Sequence, residues 1–96
     1  FLDLSSNKLQ SVSNNLSKLK NLESLILFDN QIQNLPESVC KISNLSTLWL
    51  GHNNLTKLPK QILNLNFLDW DSVNLSCNIS GNPLKEPPYD ICIKGL

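Results

Sequence analysis

No arginine occurs in this chain of 96 residues. Every basic residue is lysine, and eight lysines balance eight Asp and Glu, so the net charge is zero. A nucleic-acid-binding surface usually carries a basic surplus and uses arginine for bidentate contacts to bases, so that class is disfavoured. No apolar run approaches the roughly 20 residues that cross a bilayer as a helix, and no membrane insertion is expected. No signal peptide is visible either. The opening "FLDLSS" does not resemble a natural start, and the chain is expected to be a piece of a longer protein, poorly stable alone. One histidine and three dispersed cysteines give neither CxxC nor HExxH spacing, so neither a metal nor another cofactor is expected. The length suits one modest domain with a real core.

What the chain has is asparagine, fourteen copies, most at regular places. Alignment on apolar-x-apolar-x-x-Asn gives "LDLSSN" (2–7), "LILFDN" (25–30), "LWLGHN" (48–53) and "VNLSCN" (73–78). Asn7, Asn30 and Asn53 are 23 residues apart. The two full units, "LESLILFDNQIQNLPESVCKISN" and "LSTLWLGHNNLTKLPKQILNLNF", both fit LxxLxLxxNxLxxLPxxLxxLxx. A period of two within LxL points both apolar side chains to one side of a short strand. Pro36 and Pro59 then break the chain and cannot lie in a central strand. Beyond them Val39 and Ile42, like Ile62 and Leu65, are three apart, as in one or two turns of helix. Each unit therefore reads strand, turn, short helix. One unit cannot bury its apolar face alone, but stacked units share a continuous core. The asparagine follows from the loop after the strand, whose inward backbone groups need partners. An amide side chain both donates and accepts, so Asn7, Asn30 and Asn53 are expected to form a structural ladder.

These units resemble the leucine-rich repeat family. The 23-residue class with "LP" is similar to that of intracellular scaffolds of the Scribble, Erbin and Ras suppressor type. The resemblance implies an α/β fold: a right-handed solenoid of about four repeats with a concave parallel sheet and convex short helices. The repeats fall at approximately 1–21, 22–44, 45–69 and 70–96. The last looks like the end of an array. Such a fold implies a protein-protein interaction module of the scaffold or adaptor kind in intracellular signalling, and no enzyme.

The fourth unit is irregular. In one frame, 73–75 is the strand and Asn78 the ladder residue, with two extra residues before the strand and four, the insertion "CNIS" (77–80), bulging before Gly81. In the other, Cys77 and Ile79 are core, Asn82 is the ladder residue and all six extra residues precede the strand. Val and Leu suit a strand core better than Cys and Ile flanking Asn, which favours the first frame.

The strand residues that point away from the core form the candidate binding face. Ile26, Phe28 and Trp49 are expected to make an exposed apolar cluster on adjacent strands, about 4.8 Å apart. Asp29 and His52 would extend it, and in the favoured frame Asn74 joins it. In that frame Asp29, His52 and Cys77 also share one repeat position, the residue types of a nucleophilic triad. They lack oxyanion donors and an enclosed pocket, so catalysis is not expected from them.

Cys40 and Cys92 occupy equivalent places two repeats apart, about 10 Å, beyond the roughly 7 Å a disulfide spans. Reduced, half-buried cysteines suit a cytoplasmic protein. Five Asn-x-Ser/Thr sequons, at Asn15, Asn44, Asn54, Asn74 and Asn78, point the other way, to a secreted or cell-surface receptor or matrix fragment. The repeat itself produces part of that excess, which favours the cytoplasm.

Overall fold

The computed structural model describes residues 1–65, 68 and 77–85. Four short strands, β1 (Leu2–Asp3), β2 (Ser24–Ile26), β3 (Thr47–Trp49) and β4 (Cys77–Asn78), form one parallel sheet in the order β1-β2-β3-β4. Parallel neighbours need a long crossover, and among the described residues each crossover shows a 3₁₀ helix: Asn14–Lys18, Glu37–Lys41 and Lys60–Asn64. The helices pack on one another in chain order, as the strands do.

The helical segments are 3₁₀ where the expectation was one or two turns of helix, and the apolar spacing supplies the reason. A 3₁₀ helix has three residues per turn, so residues three apart lie in line. Val39, Ile42 and Leu45 are three apart and fully buried. Their N–H groups form a chain of i to i−3 bonds: Val39 to Pro36, Ile42 to Val39 and Leu45 to Ile42, each 3.1 Å. Ile62, Leu65 and Leu68 repeat it with Pro59 at the head. Pro36 and Pro59 occupy the N-cap with φ of −68° and −64°, the value the pyrrolidine ring imposes. Ser13 takes the same place with φ −64° and ψ 139°, and its hydroxyl accepts the N–H of Asn15 at 3.0 Å.

The core is a set of columns, each filled by equivalent residues of successive units. Leu25 stacks with Leu48, Leu27 with Leu50, Ile32 with Leu55, and Val39 with Ile62; all are fully buried. Each such side chain contributes about 1.5–3 kcal/mol through burial.

The register of β4 corrects the favoured reading of the fourth unit. Leu48 pairs with Cys77 and Trp49 with Asn78. The strand is therefore at 77–78, not 73–75, and Ile79 is the buried counterpart of Leu50. Leu45 precedes Leu48 by three residues, whereas Leu68, the equivalent of Leu45, precedes Cys77 by nine. The six additional residues thus precede the strand, and "CNIS" is not an insertion. The physical reason lies after the strand, where Asn82 and Leu84 hold the same two-residue spacing as Asn53 and Leu55. That loop is tightly bonded and has no room for extra residues.

Candidate functional site

The ladder fixes the ends of the strands. The Asn30 side chain donates to the carbonyls of Leu4 at 3.0 Å and Leu27 at 3.1 Å, and its oxygen accepts the N–H groups of Asn7 and Leu9. Asn53 donates to Leu27, Leu50 and Gly51 and accepts from Ile32. Asn82 donates to Leu50 and Ile79 and accepts from Asn53 and Leu55. The Asn7 side chain donates to Leu4, in its own loop. Asn78, placed on the ladder in the favoured frame, instead lies in β4 opposite Trp49.

The residue before each ladder asparagine has a left-handed backbone: φ is 58° at Ser6, 60° at Asp29, 55° at His52 and 79° at Gly81. Non-glycine residues rarely adopt this region, and Asp and His are among those that do so most readily. This conformation sets four side-chain positions in a column at the strand ends. The Ser6 hydroxyl donates to the Asp29 carboxylate at 2.9 Å. The His52 ring meets the edge of Phe28, with centroids 5.0 Å apart and planes at 74°. A Cβ on Gly81 would lie 2.9 Å from Nδ1 of His52. The counterpart of His52 in the next repeat is therefore Gly81, and Cys77 sits opposite core Leu48. The register takes Cys77 out of the Asp29–His52 column, so the triad alignment does not exist.

Behind this column runs the middle row of the outward face, Asp3, Ile26 and Trp49, paired in register, with Asn78 as the backbone partner of Trp49. Trp49 is 37% exposed and Phe28 is half-buried, but Ile26 is only 7% exposed. The expectation of three exposed apolar side chains is corrected at Ile26, which lies on the central strand pair between Asp3 and Trp49. Asp29 and His52 are exposed. Asn74 lies outside the described residues, and the backbone partner of Trp49 on β4 is Asn78.

Electrostatics separate this face from the core. Asp3 accepts the N–H of Ser5 at 2.9 Å, and hydrogen bonds from Ser5 hold its carboxyl below the ordinary carboxylate range. Cys40, buried on the second 3₁₀ helix, has its thiol pushed up to about 11, first by burial and then by the charge of Glu37. Among the described residues no group of His, Cys, Asp and Glu could hold a metal. No helix among them is long and apolar enough to cross a membrane. Register and column positions could have been found earlier from one signal, the need for a residue tolerant of positive φ before each ladder asparagine.

The family model for Leucine Rich Repeat matches residues 21–42 and 44–65. No curated protein matches the sequence. Among solved structures, a leucine-rich repeat protein of Leptospira interrogans is 30% identical, with a TM-score of 0.80 over 98% of this chain. The chain spans 23% of the length of that protein.

Proposed function

Because this chain is a leucine-rich repeat protein, we propose that it is a protein-recognition module whose concave sheet face receives the partner. The fold is generally a non-enzymatic binding scaffold. The observation that carries the reading is Trp49, a large aromatic left 37% exposed in the middle of a sheet face. Indole side chains in such positions dominate many interfaces, because they bury much apolar area while losing little side-chain entropy. Phe28 and His52, braced edge to face, and Asp29 form the rim. The finer reading is a scaffold or adaptor in cytoplasmic signalling. The buried, unpaired Cys40 supports it, since such a thiol persists in a reducing compartment.

The test is affinity capture with the wild type and the double variant Trp49→Ala, Phe28→Ala. Loss of the captured partners in the variant supports the concave face, and equal recovery of every partner removes it. A second reading, as a glycosylated extracellular fragment, is favoured by the exposure of Asn15, Asn44 and Asn54, all in sequons. A mass shift on enzymatic deglycosylation of the protein from its native source would decide for it.

A further inference from the structure

The two sides of the solenoid differ in charge. No lysine among the described residues lies on β1 to β4 or in the column before the ladder asparagines. Lys18 and Lys41 close the first and second 3₁₀ helices, and Lys60 opens the third. The concave face instead carries two carboxylates, Asp3 on β1 and Asp29 just past β2, both exposed. Neither is in an ion pair among the described residues; Asp3 is bonded by Ser5, through side chain and N–H, and Asp29 by the hydroxyl of Ser6. Trp49 lies in the same row as Asp3, two strand spacings away, about 10 Å.

We infer that the segment this face receives is basic: a lysine or arginine side chain of a protein partner lies across the Trp49 ring, its cationic end shared with Asp3 and Asp29. The inference rests on the concave-face reading and adds the chemistry of the partner to it. Three observations combine. Trp is the strongest aromatic acceptor of a cation, and the attraction grows as the pair is desolvated. The aliphatic stem of lysine or arginine covers apolar surface while its charged head reaches outward, which matches a Trp49–Phe28 patch bordered by carboxylates. An anionic ligand would meet two carboxylates and, on the described strands and the column before the ladder asparagines, no lysine, the nearest in the chain being Lys8 beyond Asn7; phosphate-rich partners are therefore disfavoured. Charge complementarity of this kind also sets approach rate and discriminates against wrong partners.

The probe is a random peptide library displayed on phage and panned against the intact protein. Enriched peptides are resynthesised and their affinities measured on the wild type, on Trp49→Ala, on Asp3→Asn with Asp29→Asn, and on Lys41→Gln. Asparagine is chosen because it retains the acceptor for Ser5 and tolerates the positive φ of residue 29. Enriched peptides carrying Lys or Arg are expected. Trp49→Ala should abolish their binding, the double Asn variant should weaken it about tenfold at low salt and less at high salt, and Lys41→Gln should leave it unchanged. Peptides that need Trp49 but lack basic residues and ignore the Asn variant would overturn the basic-segment inference and leave the concave-face reading standing. Peptides indifferent to Trp49→Ala would overturn both, and so would a panning that enriches nothing over an unrelated protein.

Discussion

The side-chain oxygen of Asn82 accepts the backbone N–H of Asn53 at 3.1 Å, tying the fourth loop to the third. Asn53 in turn donates to Leu27 of the second repeat at 2.9 Å. Asn30, Asn53 and Asn82 therefore each satisfy groups in two loops at once, and removing such a side chain leaves buried backbone groups without partners. We expect Asn53→Ala to cost about 2–4 kcal/mol, since each orphaned buried group costs roughly 1–3. Asn82→Ala should cost less, because it is half-buried. Asn78→Ala, on the outward register position, should leave the ladder intact. Urea denaturation of the three variants checks the order; Asn78→Ala as the costlier of the last two would restore the rejected frame.

Gly81 is required by proximity more than by its backbone angle. Ser6, Asp29 and His52 hold similar positive φ without being glycine. At Gly81 a Cβ would come within 3.1 Å of the His52 backbone nitrogen as well as 2.9 Å from its ring. Gly81→Ala should cost about 1–3 kcal/mol through strain and overpacking. Placing it in a His52→Ala background removes the ring contact but not the backbone one. The penalty should then shrink by more than about 0.5 kcal/mol without vanishing, a coupling a double-mutant cycle measures directly.

These two sites also show what was legible in the sequence. The 23-residue spacing placed β1 to β3 and the asparagines at 7, 30 and 53, because a repeated unit leaves one way to stack. In the fourth unit the two frames differ in strand propensity, which favours 73–75, yet the strand forms at 77–78. Propensity for a two-residue strand is a weak preference. The stronger constraint was the left-handed residue before the ladder asparagine: Gly81 meets it before Asn82, whereas Cys77 before Asn78 meets it poorly. Pro83 is a departure of this loop from the two before it. Its equivalents Gln31 and Asn54 donate N–H groups to Leu9 and Ile32, and proline has none; Lys85 donates to Thr56 instead. The burial of Ile26 was not legible, since period two assigns a residue to a face but does not say how its neighbours crowd it.

Cys40 should be unreactive while the fold is intact. At neutral pH its thiol is protonated, and the thiolate is the nucleophile. Iodoacetamide followed by peptide mapping should show slow modification of Cys40 in buffer and rapid modification in urea. The same shift has a stability consequence. The folded thiol titrates near 11 against an ordinary 9.0, so its contribution is fully present below pH 9. It is lost as the pH rises from 9 to about 11, because only the unfolded chain releases the proton there. The difference in stability between wild type and Cys40→Ala should narrow over that window.

Ser13 and the two prolines solve one problem by different means, and their magnitudes predict a near-neutral exchange. All three hold φ between −64° and −68° with extended ψ at the head of a 3₁₀ helix. Ser13 adds a cap to the N–H of Asn15, worth about 1 kcal/mol. Proline adds no cap but restricts the unfolded chain, worth about 0.4–1 kcal/mol where the native angle already fits. Ser13→Ala should therefore cost about 1 kcal/mol, while Ser13→Pro should lie within about 0.5 kcal/mol of wild type, one term offsetting the other. A Ser13→Pro variant as unstable as Ser13→Ala would mean that the first unit, unlike the next two, does not hold its extended cap in solution.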